Sequence, residues 1–196
     1  MLSEVEKNKI KTVLENDGVI AFVTDTVWGL GCLPESKKGV EKIYRIKQRD
    51  SKKPLILMSH DIYPLIKYVK PLSKQAHCLI KKYFPGGLTL VLNKSELTPD
   101  YITSGLDTVG IRVPDNEVFG DICKSVSTQV LATTSANLSS EPPALNYEEA
   151  LNYIGELADY VVEPHGLSAN GTASTVAGVF DDEIKIFRQG EIEIEL

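Results

Sequence analysis

The sequence has little of what builds redox, metal or covalent-nucleophile centres. Its three cysteines, Cys32, Cys78 and Cys123, lie far apart with no C-x-x-C pair. That spacing speaks against a structural zinc site and reads as buried thiols in a reducing compartment, the cytosol. The three histidines, His60, His77 and His165, lack ligand spacing and read as surface or structural residues. No metal-binding set is therefore expected from the protein itself. An excess of positive charge is missing too: Lys plus Arg is 21 against 27 Asp plus Glu, a net charge of -6, which argues against a general polyanion binder. No apolar run is long enough to cross a bilayer, and the polar, helix-like N-terminus has no signal-type apolar core. A chain with no membrane contact, located in the cytoplasm, is the expectation. There is no G-x-x-x-x-G-K-[ST] loop, no G-x-G-x-x-G fingerprint and no G-x-S-x-G elbow. Internal repeats, low-complexity tracts and clear linkers are also missing, so residues 1–196 are read as a single domain.

What is present is a chain of 196 residues, 42% hydrophobic, long enough to bury a substantial core. It is organised around residues 19–31. Val19 to Val23 is an unbroken apolar run that suits a buried strand. It leads into Thr24-Asp25-Thr26, then Trp28, then Gly29 and Gly31, whose backbone can take positive φ or lie close against a ligand. A strand ending in hydroxyls, one carboxylate and glycines can floor a small-molecule site in an open α/β sheet. An ordinary turn fits the same residues.

The remaining pattern alternates helices and strands. Ser3 and Glu6 form a capping-box pair before a first helix, and Gly18 sits where a C-terminal cap belongs. Ser36 caps a second helix running to about Ile46. The only dense cationic cluster follows, from Lys47 to Lys53, and reads either as a solvated loop or as a phosphate-binding one. Leu55 to Met58 is a short strand. Residues 61–84 read as two helical pieces broken at Pro71, the second starting at Ser73. Pro85-Gly86-Gly87 turns the chain into a strand at Leu88–Leu92. Residues 98–107 read as a polar connection, and 108–114 as a strand carrying Arg112, which must face an anionic ligand or an acidic residue. A helix at 115–125 with Asp115 as its cap, a strand at 130–133, a helix at 146–154, and strands near 175–180 and 184–188 about an Asp181-Asp182 turn complete the reading.

The inventory left over is a set of cations (Lys47, Arg49, Lys53, Arg112, Arg188) and small hydroxyl or amide groups at strand ends. It suits catalysis by positioning and charge neutralisation of a phosphate-bearing substrate, without a covalent intermediate. Thr24-Asp25-Thr26-Val27-Trp28-Gly29-Leu30-Gly31, followed by Lys47-x-Arg49 and Lys53-Pro54, resembles the opening signature of the YrdC-type threonylcarbamoyl-adenylate synthases. The likeness continues in the family's order through Pro85-Gly86-x-x-Thr89, Val109-x-x-Arg112-Val113-Pro114, Thr134-Ser135-Ala136-Asn137-x-Ser139, Ser174-Thr175-Val176 and Arg188-x-Gly190. It spans roughly residues 19 to 190 and resembles the short, single-domain form.

The resemblance implies an α/β fold, a twisted open mixed sheet flanked by helices around a large central cavity. It implies a reaction in tRNA modification: L-threonine and bicarbonate (or CO2) give an N-carboxylated threonine that attacks the α-phosphorus of ATP. The products are threonylcarbamoyl-AMP and pyrophosphate, and a separate threonylcarbamoyl transferase complex then modifies adenosine 37 of ANN-decoding tRNAs. By the matching motifs, Lys47, Arg49, Lys53 and Arg188 hold the triphosphate, with Mg²⁺ sharing the charge; Lys47 and Arg49 carry the catalytic role. Ser135, Asn137, Ser139 and Ser174 contact the nucleotide, and Thr26, Thr108 and Arg112 orient threonine. The sequence departs from the family where Val23, Trp28, Asp50, Gly87 and Ser140 stand. Asp50 adds a negative charge beside the proposed phosphate clamp. The rival readings are a diverged paralogue without this activity, a module that contacts tRNA or double-stranded RNA, and a carbamoyl-transfer domain.

Overall fold

The computed structural model describes residues 1–48, 53–138 and 141–195. Arg49, Asp50, Ser139 and Ser140, named above, lie outside the described residues.

The described chain opens with helix α1 (Glu4–Glu15), where the Ser3 side chain accepts from the Glu6 amide and Glu6 reaches back to the Ser3 amide. This is the expected capping box. The helix ends differently from the expectation: Asn16 is the C-cap, Asp17 takes the left-handed conformation at φ 61°, and Gly18 donates to the Val13 carbonyl. Strand β1 (Ile20–Phe22) and strand β2 (Gly29–Cys32) follow as an antiparallel pair. The pattern of residues 24–31 suggested a turn rich in glycine, but Gly29 and Gly31 are strand residues without positive φ. A Cβ on either would stand 2.9 Å from the Phe22 ring, so both are small in order to seat that ring.

Helix α2 (Lys37–Ile46), capped by Ser36, leads to β3 (Ile56–Ser59), α3 (Tyr63–Ile66) and α4 (Lys74–Tyr83), the last capped by Ser73. Strand β4 (Leu88–Asn93) follows the Pro85-Gly86 turn. The connection expected to be irregular contains a one-turn helix, α5 (Asp100–Thr103), before β5 (Thr108–Arg112). Helix α6 (Glu117–Ser125) takes Asn116, not Asp115, as its cap. Strand β6 (Val130–Ser135), α7 (Tyr147–Ile154), β7 (Tyr160–Val161), β8 (Thr175–Phe180) and β9 (Glu183–Arg188) complete the order. Asp181 and Asp182 both have positive φ, at 51° and 62°, as a two-residue hairpin turn of the primed type requires.

The strands form one sheet in the order β7-β1-β2-β6-β3-β5-β4-β8-β9. It is mixed: β1/β7, β3/β5 and β4/β8 are parallel, the other neighbours antiparallel. Alternation along each central strand divides residues between two faces. Leu57, Leu90, Ile111 and Ala132 are all fully buried, with α3 and α6 lying against β3, α2 against β2, and α1 against α6. Ile56, Met58, Thr89, Arg112, Thr133 and Ser135 line a cavity on the sheet. The twisted mixed α/β sheet with a central cavity is thus as expected. No helix of the described residues is long and apolar enough to cross a membrane.

Candidate active site

The cavity has a volume of about 380 Å³, within the range of small-molecule sites. Six neighbouring strands supply its floor, from β2 through β6, β3, β5 and β4 to β8. Register puts the lining side chains in rows: Ile56 opposite Thr133, Met58 opposite Arg112, and Thr89 opposite Val176. Gly110 is small because a Cβ there would stand 2.8 Å from Ile56. The walls are loops, namely Thr24 to Trp28, the Ser135–Asn137 turn, and Ala173-Ser174 before β8.

Arg112 is the most constrained charge in the cavity. Its side chain is only 5% exposed and pairs through Nη2 with Asp25 Oδ1 at 2.5 Å. Nη1 donates to Thr26 Oγ1 at 2.7 Å and Nε to the Gly86 carbonyl at 2.9 Å. Burial pulls the guanidinium below its ordinary pKa and Asp25 pushes it back up; an arginine stays protonated through both effects. The sequence had left open whether Arg112 met a ligand or an acid, and Asp25 is that acid. Thr26 is itself fixed, because Thr24 Oγ1 contacts its hydroxyl at 3.1 Å and donates to the Val27 carbonyl at 2.6 Å. The Asn170 and Gly171 amides hold the Asp25 and Thr26 carbonyls at 3.0 and 2.8 Å.

On the β8–β9 side of the cavity, Arg188 donates through Nη2 and Nε to the Ser174 carbonyl at 2.8 and 3.1 Å. Ser174 Oγ in turn meets Thr89 Oγ1 at 2.8 Å. The Arg188 side chain keeps access to solvent, burial lowers its pKa, and among the described residues it has no carboxylate partner. A cation held by neutral oxygens at a cavity wall is a ready anion site.

The third cation behaves differently. Lys47 is 3% exposed, and its Nζ donates to the Ser135 carbonyl at 2.6 Å, Asn137 Oδ1 at 2.6 Å and the Asn137 carbonyl at 2.9 Å. Ser135 and Asn137 line the cavity; Lys47 does not.

Of the residues singled out in the sequence, Thr26, Arg112, Ser135, Asn137, Ser174 and Arg188 come together around the cavity. Lys53 does not line it, although the next residue, Pro54, does. Thr108 does not either: it opens β5 opposite Asn93, four residues from Arg112, or roughly 13 Å along a strand. Arg49 and Ser139 lie outside the described residues. Asp25, Thr24 and Thr89 are partners that residue type and spacing did not single out, though all three sit inside the motifs quoted above. The Trp28 ring lines the cavity beside Tyr147, centroids 5.9 Å apart, and among the described residues its Nε1 is the one buried side-chain polar atom with no hydrogen bond.

No described carboxylate lines the cavity, and the described His/Asp/Glu cluster with metal-ligand spacing is Glu6, Glu163 and His165. The last of these pairs with Glu6 at 2.7 Å, against α1. Two cysteines are buried as expected, and Cys78 is exposed.

The family model Sua5_yciO_yrdC, described as "Telomere recombination", matches residues 12–190. A relative from Idiomarina loihiensis named threonylcarbamoyl-AMP synthase is 33% identical over 86% of this chain and 89% of its own. One of the same name from Bacillus subtilis is 36% identical over 93% of this chain and 53% of its own. The crystal structure of Pyrococcus abyssi Sua5 complexed with L-threonine superposes with a TM-score of 0.90 at 29% identity, covering 97% of this chain and 55% of that one. The chain thus spans about half the length of the latter two and most of the first.

Proposed function

The chain belongs to the Sua5/YciO/YrdC family, and from that premise we propose that it is an L-threonylcarbamoyladenylate synthase, a nucleotidyltransferase. The amino nitrogen of L-threonine bonds to the carbon of bicarbonate and water leaves, or it bonds to the carbon of CO2 and the amine gives up a proton; either route gives N-carboxythreonine. An oxygen of the new N-carboxylate then bonds to the α-phosphorus of MgATP, the bond from that phosphorus to the oxygen bridging to the β-phosphate breaks, and pyrophosphate leaves. The product, threonylcarbamoyl-AMP, is consumed by a separate transferase that modifies tRNA in the cytoplasm.

The single observation that carries this reading is Arg112 at the cavity floor. Three of its five N–H donors go to Asp25, Thr26 and Gly86, which fixes the guanidinium plane before any ligand arrives. The remaining two suit the carboxylate of an amino acid, a planar fork meeting a planar acceptor. Arg188, also on the cavity lining, serves the triphosphate, and Ser135, Asn137 and Ser174 the nucleotide. By the family's motif, Arg49 and Lys53 complete the set of cations for the triphosphate. Catalysis then consists of holding two anions in line in a partly dry pocket, with charge placed where the leaving pyrophosphate develops it.

Pyrophosphate release from MgATP, with L-threonine and bicarbonate added singly and together, tests the proposal. Release that needs both, with L-serine a poor substitute, is the expected result. Release indifferent to threonine would overturn it in favour of a diverged paralogue.

A further inference from the structure

We propose that Lys47 is a positioning residue that holds the Ser135–Asn137 turn in its nucleotide-receiving shape from behind, rather than a ligand of the triphosphate. The identity of the ligand rests on the synthase reading above; the role of Lys47 rests on its own contacts. It is the C-cap residue of α2, 3% exposed, and is set behind the cavity wall that Ser135 and Asn137 form. An ammonium has three protons, and among the described residues three oxygens lie close to it, at 2.6, 2.6 and 2.9 Å, with the Ser135 hydroxyl further off at 3.5 Å.

Those oxygens belong to both ends of one tight turn. Ser135 supplies its carbonyl and, at the longer distance, its hydroxyl, and Asn137 supplies its carbonyl and its side-chain Oδ1. The same Oδ1 accepts from Ser135 Oγ at 2.6 Å, while the Asn137 side-chain Nδ2 donates to the Glu141 carbonyl. Three partial negative charges facing one buried point repel each other unless a cation sits among them. Lys47 therefore sets the spacing of the turn, and the turn sets where the Ser135 hydroxyl and the Asn137 side chain meet a nucleotide. Swinging Nζ to a phosphate would break charge-assisted bonds and leave the converging oxygens buried and facing one another.

A residue that shapes the turn and one that binds the β- and γ-phosphates differ in which ligands they affect. AMP carries neither phosphate. Calorimetric titration of the full chain with AMP and with MgATP separates the two roles. For Lys47→Met we expect both affinities to fall by a similar factor, roughly tenfold or more, so that the AMP-to-ATP ratio of Kd stays at the wild-type value. For Arg188→Gln we expect the MgATP affinity alone to fall. Lys47→Arg should not rescue, since a planar fork cannot meet three oxygens arranged for an ammonium; a phosphate ligand would be partly replaced by arginine. Loss of MgATP affinity with AMP affinity intact in Lys47→Met would overturn the assignment.

Should Lys47→Met not fold, the wild-type protein answers by NMR of its lysine Nζ groups. The Lys47 signal should respond alike to AMP and MgATP, and a shift on MgATP alone would overturn the proposal. A wild-type protein that binds neither nucleotide would overturn the synthase reading itself, and the Lys47 role with it. That outcome is distinct from one in which only the Lys47 variants misbehave.

Discussion

Replacing Asp25 with Asn changes one charge and almost no shape, and so isolates what the acid does for Arg112. The pair is close, Nη2 to Oδ1 at 2.5 Å, with the two side chains 5% and 16% exposed. Removing one partner of a fully buried ion pair costs about 3–5 kcal/mol, because the other charge is left uncompensated. Two features reduce that here: Arg112 retains Thr26 and the Gly86 carbonyl, and Asn retains an acceptor oxygen at the same reach. Partial exposure of Asp25 adds some solvent screening. A net loss of about 1–3 kcal/mol remains, which for a chain of this length lowers Tm by roughly 2–12 °C. In urea the midpoint should fall with the slope unchanged. In turnover, KM for L-threonine should rise as the guanidinium loses its fixed plane, while AMP affinity stays put. An unchanged urea midpoint, or an AMP affinity that falls as far as the threonine response, would refute the reasoning.

Gly190→Ala should cost about 2 kcal/mol or more, because the new Cβ would lie against the backbone carbonyls of Ala173 and Ser174. Gly178→Ala should cost much less, since the atoms it meets are the ring ends of Phe180 and Phe187, and Phe187 is exposed enough to turn away; comparing the two urea midpoints checks the order. Phe22→Ala should cost about 3–5 kcal/mol, as the fully buried ring packs on Phe119 at 5.0 Å and between Gly29 and Gly31. Bonds from the Ser3 side chain and amide, and then from His165, hold the Glu6 carboxyl down at about 2, below its ordinary 4.5. A depressed carboxyl contributes stability above its unfolded pKa and loses it as pH falls through the folded one. Glu6→Gln should therefore flatten the decline in stability between about pH 4.5 and 2 in acid titrations.

Much of the fold could be read in the sequence because the signals were local. Ser3 with Glu6, Ser36 and Ser73 each cap the helix their position announces, and the β-branched runs at 88–92 and 175–180 are strands. Where the reading failed, two local signals competed or a distant partner decided. Gly29 and Gly31 carry a turn signal, yet what fixes them is the Phe22 ring on the neighbouring strand. Asp115 and Asn116 are both competent caps, and only the backbone geometry selects Asn116. The site follows the same rule. Arg112 demanded a counter-charge by being an arginine in an apolar strand, and Asp25 supplies it from 87 residues away. Thr108 shares that strand, and even its face, but residue type says nothing about distance along the sheet. Lys47 looks like a phosphate ligand by type, and its bonds to the Ser135 and Asn137 oxygens, which no local pattern announces, are what the proposal above rests on.

The central claim is that carbon from bicarbonate, nitrogen from threonine and phosphorus from ATP end in one molecule. Incubating the chain with ¹³C-bicarbonate, L-threonine and MgATP and analysing the products by mass spectrometry tests this directly. The account predicts threonylcarbamoyl-AMP carrying the heavy carbon, formed with pyrophosphate in equal amount and lost in Arg112→Ala. Pyrophosphate without a labelled adenylate, or a labelled adenylate that survives Arg112→Ala, would contradict it.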